Sequence, residues 1–310
     1  MSRIHEALKR AAEERATTQS VEMPLAPAAQ ENKLRRADDI PTLTENAPAK
    51  QPAPIAFANG YLRFDEIQKH FARPVWNLDP NQNIFVSGSN PHGAEQFRTL
   101  RSRLYQIRSA QPLRTILVTS GVPAEGKTFV ASNLAQAIAR QPDRRVLLID
   151  ADLRRPRLHV PLGAPSAPGL TDYLRGETDE ISIIQQGQAG GLCFIPGGNE
   201  VTEAGELITN GRLKVLIERL SPVFDWIVLD SPPCVPVHDA SVLADLCDGV
   251  VLVVRSGSTP VEVAQKTAQE MAGRNVLGVV LNAVKEVKEY GSYYYYYNER
   301  SPRDPQDAKV

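Results

Sequence analysis

The hydrophobic pattern divides the chain of 310 residues into a polar beginning, a long apolar-periodic middle and a polar end. Ile4, Ala7, Leu8, Ala11 and Ala12 recur at helical spacing among Lys9, Arg10, Glu13, Glu14 and Arg15, which predicts a short amphipathic helix over 1–16. It reads equally as a docking helix for a partner or as an idle terminal helix. Residues 17–60 are rich in Pro, Ala, Gln, Glu and Asn and hold few large apolar side chains, too few to offset the entropy of ordering, so a disordered linker is expected there. The folded region is expected over 61–288. Apolar runs at 115–118, 145–149, 192–195, 226–229, 249–255 and 277–282 are strand-sized and continuous, as in strands buried on both faces. A further short strand is expected at Ile84-Phe85-Val86. Helices are predicted from near Pro91, with Phe97, Leu100 and Leu104 as its apolar stripe, and over 129–140. Thr259-Pro260-Val261-Glu262 reads as a helix start with a threonine cap, a proline in the first turn and a capping-box glutamate. Strands alternating with helices give an α/β fold: a doubly wound, mostly parallel sheet.

Chemistry enters at the first of these strands. Thr115-Ile116-Leu117-Val118 runs into Gly121-Val122-Pro123-Ala124-Glu125-Gly126-Lys127-Thr128, which matches the phosphate-cradling G-x-x-x-x-G-K-[ST] motif at every defined position, between a strand and a helix. Gly121 and Gly126 let backbone N–H groups curl round an anion, Lys127 neutralises phosphate oxygens, and the Thr128 hydroxyl is placed to ligate Mg²⁺ at a helix N-terminus. A P-loop NTPase fold is therefore expected. In such a sheet ligands sit beyond the carboxyl ends of the strands, and three of them end in Asp150/Asp152, Asp230 and Asn282. Asp230 closes Ile227-Val228-Leu229-Asp230-Ser231-Pro232-Pro233, a Walker-B-like pattern whose acid holds Mg²⁺. Asp150 and Asp152 are expected to divide labour, one toward metal and one toward an attacking hydroxyl. Arg154, Arg155 and Arg157 follow, readable as phosphate contacts or as a solvated basic loop.

Composition narrows the function classes. A net charge of −1 and a pI near 6.5 give no bulk attraction to nucleic acid or to an anionic membrane. No apolar run reaches the eighteen or so residues of a membrane helix, and the first residues lack a signal-peptide core, so a cytoplasmic location is expected. Cys193, Cys234 and Cys247 lack metal-ligand spacing and suit a reducing compartment.

Taken together, Gly126-Lys127-Thr128, then Leu147-Leu148-Ile149-Asp150-Ala151-Asp152-Leu153-Arg154, Val228-Leu229-Asp230-Ser231-Pro232-Pro233 and the terminal Tyr290-Gly291-Ser292-Tyr293-Tyr294-Tyr295-Tyr296-Tyr297 resemble the bacterial tyrosine kinases of capsule and exopolysaccharide synthesis. These are relatives of the division-site and chromosome-partitioning P-loop ATPases. The resemblance implies ATP and Mg²⁺ as cofactors and a nucleotide site of Gly121, Glu125, Gly126, Lys127, Thr128, Phe129 and Asn282. It implies Thr128, Asp150 and Asp230 at the metal, with Lys127, Asp150 and Asp152 catalytic. Tyr290 and Tyr293 to Tyr297, in a flexible tail over 289–310, would be phosphoacceptors reached in trans. Glu95-x-x-Arg98-x-x-Arg101 matches the helix through which the family packs into homo-oligomeric rings; on residues alone it is a solvated charged face. A transmembrane polysaccharide co-polymerase as activator, a protein-tyrosine phosphatase and a peripheral place at the inner face of the membrane are implied too. Ala124 stands where the family carries glycine, which is expected to stiffen the loop slightly, and Ser231 where it carries threonine. The alternative is a non-kinase P-loop ATPase that positions a membrane or secretion assembly.

Overall fold

The computed structural model describes residues 63–88, 90–188 and 191–284. The expected terminal helix, linker and tail, with Tyr290 and Tyr293 to Tyr297, lie outside the described residues. Seven strands form one sheet: β1 (Thr115–Ser120), β2 (Val146–Asp150), β3 (Gln185–Gln186), β4 (Leu192–Ile195), β5 (Trp226–Asp230), β6 (Gly249–Arg255) and β7 (Val276–Asn282). Their order is β3-β4-β2-β5-β1-β6-β7, and every pairing is parallel except β3 with β4.

Period-two alternation explains why the central strands are apolar throughout. Ile116, Val118, Val146, Leu148, Val228, Val251 and Val253 enter one core, where they meet Phe97 and Leu104 of the helix Pro91–Ala110 and Val130, Leu134 and Ile138 of the helix Lys127–Ala139. The intervening Leu117, Leu147, Ile149, Leu229, Val250 and Leu252 enter the other, against the helices Leu170–Arg175, Arg212–Leu220 and Asp239–Ala244. Both faces are covered, so an alternating polar residue would be buried without a partner. At β7 the covering ends: Val279 and Leu281 are 62% and 56% exposed, and this strand pairs only with β6 among the described residues.

One local expectation is corrected. Residues Ile84–Ser87 form a helical turn, not a strand. The Ile84 N–H donates to Asn133 Oδ1 of the P-loop helix at 2.9 Å, so that backbone is bonded to a side chain and not to a sheet neighbour, and Gly88 at φ +63° ends the turn. The short strand β3 is an addition that its polar Gln-Gln sequence does not advertise. The helix from Pro91 starts as expected, with Asn90 Oδ1 accepting the Gly93 N–H at 2.7 Å. Among the described residues no helix is long and apolar enough to cross a membrane.

Candidate functional site

The loop after β1 folds at the point where neighbouring strands depart to opposite sides, toward β5 and toward β6. Two glycines are required there by geometry. A Cβ on Gly121 would lie 2.1 Å from Thr267 Oγ1, and Gly126, at φ +95°, would carry one 2.0 Å from Asn282 Nδ2. Ala124 occupies the left-handed region at φ +66°. An L-residue carries a steric cost in that region, which adds backbone strain to the expectation from the sequence.

Across the sheet the acids converge. Asp150 and Asp230 end adjacent strands in register, and Lys127 Nζ reaches Asp152 Oδ2 at 3.1 Å and Thr128 Oγ1 at 3.4 Å. All three acids are enclosed, with Asp150 at 0%, Asp230 at 1% and Asp152 at 6% exposure. Burial drives the Asp150 carboxyl well above its ordinary range and the Asp230 charge adds to this, while amides of Leu158 and Asp152 pull it back. Burial likewise lifts Asp230 to about 6, against the opposing pull of the Lys127 charge and the Thr128 hydroxyl hydrogen bond. Burial alone would depress Lys127, yet Asp230 and Asp152 outweigh it and hold the ammonium above its usual value. The result is one cation among crowded acids.

The two aspartates of the β2 end do diverge. Asp150 accepts the Leu158 N–H at 2.9 Å and the Asp152 N–H at 3.3 Å, so both its oxygens shape the loop behind the site. Asp152 faces Lys127 and accepts the Arg155 N–H at 3.2 Å. Among the described residues Asp230 Oδ1 is buried with no hydrogen-bond partner. An orphaned hard oxygen beside the Thr128 hydroxyl fits Mg²⁺, which takes one or two carboxylates plus substrate phosphates and needs no all-protein cage.

The remaining expected residues fall into two groups. Phe129 turns its ring edge-on to Phe97, with centroids 5.9 Å apart, so its side chain packs against the helix Pro91–Ala110. Glu125, 2% exposed, has both oxygens engaged: Oε2 accepts the Val122 N–H at 2.8 Å and Oε1 accepts the Thr259 hydroxyl at 2.6 Å. Asn282 does reach the loop, donating Nδ2 to the Glu125 carbonyl at 2.9 Å. Arg255 was not expected here, and its Nη1 donates to the Ala124 carbonyl at 3.0 Å. Thr259 is a correction: the helix Val261–Glu270 starts without a side-chain cap, and the Thr259 oxygen accepts the Arg255 N–H while its proton goes to Glu125. No local pattern signals either contact, since the partners lie 131 and 134 residues apart.

The arginines after Asp152 separate as well. Arg154 forms a bidentate pair with Asp239 at 2.6 and 3.1 Å, whereas Arg155 and Arg157 are exposed. Of the helix triad, Glu95 and Arg98 pair in solvent at 2.9 Å, while Arg101 donates to the Ala137 carbonyl at 2.7 Å and ties its helix to the P-loop helix.

Comparison with known proteins agrees with this geometry. Residues 116–301 match the family described as the CobQ/CobB/MinD/ParA nucleotide binding domain. The tyrosine-protein kinase YwqD of Bacillus subtilis is 32% identical over 194 residues, covering 62% of this chain and 81% of that protein. The succinoglycan biosynthesis transport protein ExoP of Rhizobium meliloti is 33% identical over 204 residues, covering 64% of this chain. Among solved structures, the kinase domain of the Escherichia coli tyrosine kinase ETK superposes with a TM-score of 0.58 at 32% identity, covering 64% of this chain and 81% of that one. The chain spans 26% of the length of ExoP and 28% of that of the Acinetobacter johnsonii kinase ptk. A matched phosphate loop, acids at the ends of β2 and β5, and these relatives lead to one assignment: the chain belongs to the bacterial tyrosine-protein kinase family, a branch of the CobQ/CobB/MinD/ParA nucleotide-binding proteins.

Proposed function

We propose that the chain is an ATP-dependent protein-tyrosine autokinase that phosphorylates Tyr290 and Tyr293 to Tyr297 of another copy, in the service of exopolysaccharide or capsule synthesis. The observation that carries the reading is the gathering of Lys127, Thr128, Asp150, Asp152 and Asp230 at one end of the sheet, in a chain whose relatives are named tyrosine kinases. The name of ExoP points the same way for the polysaccharide.

In this reading Gly121 to Thr128 wrap the phosphates with backbone N–H groups, and Lys127 offsets charge on the transferred group. Thr128 and Asp230 would hold Mg²⁺, which supplies further charge neutralisation at the phosphate oxygens. A tyrosine hydroxyl, with a solution pKa of about 10, attacks the γ-phosphorus as the bond to the bridging oxygen breaks, and ADP leaves. Its proton passes to an aspartate at the end of β2. Asp152 is the more accessible acid, burial holds the Asp150 carboxyl well above its ordinary range, and the pH–rate profiles of Asp152→Asn and Asp150→Asn separate the two. Glu95, Arg98 and Arg101 serve the ring; Arg101 does so while also bracing its own helix. A transmembrane co-polymerase would activate the enzyme at the inner membrane face, and a protein-tyrosine phosphatase would reset it.

The test is incubation of the full chain with Mg-ATP and the activator, followed by mass-spectrometric mapping. Phosphate on the six tail tyrosines, lost when all are changed to Phe, is the expected result. Phosphate release without phosphotyrosine, undiminished by those changes, would replace the kinase by the second reading. That reading is an ATPase that positions a membrane assembly, favoured by the membership of MinD and ParA in the matched family.

A further inference from the structure

A glutamate inside a phosphate-binding loop poses an electrostatic problem, because a carboxylate there opposes the anion the loop exists to hold. Glu125 is buried, so the cost of leaving either oxygen without a donor is high. Its two donors come from opposite directions: Val122 within the loop at 2.8 Å and Thr259 from the segment after β6 at 2.6 Å. Thr259 is itself held, its oxygen accepting the Arg255 N–H at 3.2 Å. The ends of two strands clamp the loop's backbone: Arg255, the last residue of β6, donates to the Ala124 carbonyl at 3.0 Å, and Asn282, the last residue of β7, donates to the Glu125 carbonyl at 2.9 Å. Asn282 is fixed in turn, since its Oδ1 accepts the Ala283 N–H at 2.9 Å and its carbonyl accepts the Ser256 N–H at 2.8 Å.

We infer that Thr259, acting through Glu125 and assisted by Arg255 and Asn282, is a positioning residue that sets the phosphate loop in its binding shape before nucleotide arrives. None of the four side chains need touch a phosphate to do this. Preorganisation of this kind lowers the ordering cost of binding. Without the Thr259 hydroxyl, Oε1 of Glu125 loses its donor, and the carboxylate must find another inside the loop or turn toward the phosphates. Asn282 thereby acquires a role different from a contact to the nucleotide base. The inference rests on the nucleotide-binding identity of the fold and not on transfer to tyrosine, so its failure and that of the kinase reading are distinguishable.

The experiment measures binding of Mg-ATP and of Mg-tripolyphosphate, which has no base or sugar, to the full chain and its variants by calorimetry. Thr259→Val is expected to weaken both ligands by about tenfold, the scale of one hydrogen bond to a charged group. Thr259→Ser should restore both to within about twofold, because it returns the hydroxyl while removing only a methyl. Asn282→Ala is expected to weaken tripolyphosphate as much as ATP. Wild-type affinity for both ligands in Thr259→Val, or failure of serine to rescue, would overturn the inference. A loss confined to ATP in Asn282→Ala would assign that residue to direct contact with the base or sugar and remove it from the brace. If Thr259→Val does not fold, Thr259→Ala carries the same two arms without an added methyl.

Discussion

The two walls of the nucleotide site are built on opposite principles. On the β2 and β5 side, Asp150, Asp152 and Asp230 are buried together around one lysine, and Asp230 keeps an oxygen without a partner. On the β6 and β7 side, Glu125, Thr259, Arg255 and Asn282 satisfy one another. In the first wall burial lifts the pKa values of Asp150 and Asp230 above the ordinary carboxyl range. The second is complete beforehand and lends its shape to the loop between them. Binding strength and preorganisation are thus assigned to different parts of one pocket.

The sharpest way to break this contrast is to remove the lysine of the acidic wall. Lys127→Met should lower phosphotransfer at least about 10²-fold. It should also destabilise the nucleotide-free chain by about 3 kcal/mol, since Asp152 is left buried without its partner, as denaturant melts would read. Neutralising the orphaned acid should have the opposite sign on stability. Asp230→Asn is expected to weaken Mg-dependent ATP binding by roughly tenfold or more, yet to stabilise the metal-free chain by about 2 kcal/mol at pH 8.

That gain has a defined pH window. With a carboxyl at about 6 in the folded chain against an ordinary 3.8, the fold retains a proton that the unfolded chain has already released. In chelator-treated protein the wild-type contribution is therefore present below about pH 4, declines as pH rises through about 6 and is lost above it. The advantage of Asp230→Asn should accordingly grow across that interval and then level off; a constant difference from pH 4 to 8 would contradict the acidity assigned to Asp230. The smallest effect belongs to the loop itself. Ala124→Gly relieves a left-handed alanine and should stabilise the chain by about 0.5 kcal/mol, checked by thermal melts, with the extra freedom of glycine in the unfolded state limiting the gain.

The acidic wall was legible in the sequence because its residues end apolar runs or stand inside a spaced motif. Lys127, Thr128, Asp150, Asp152 and Asp230 all follow from those local signals, and so do six of the seven strands. The bracing wall was not. Thr259 precedes Pro260 and Glu262 in a pattern that helix capping explains equally well, and only folding reveals that its hydroxyl is claimed by Glu125. Arg255 and Arg101 gain their roles from carbonyls 131 and 36 residues away, which no window along the chain can display. Ile84-Phe85-Val86 misled for a related reason: β-branched residues favour a strand only where a neighbouring strand is available, and here Asn133 takes the first amide.

The position of β5 between β1 and β2 also governs how the molecule can be made. A chain emerging from the ribosome produces Lys127 and Asp152 well before Trp226–Asp230, the segment that must slide between their strands and pair with both. Until that late segment has been synthesised, β1 and β2 lack the strand that pairs with both and carries Asp230. Nascent chains halted before residue 230 should accordingly fail to retain nucleotide, and assembly should proceed as a closing step and not as gradual growth.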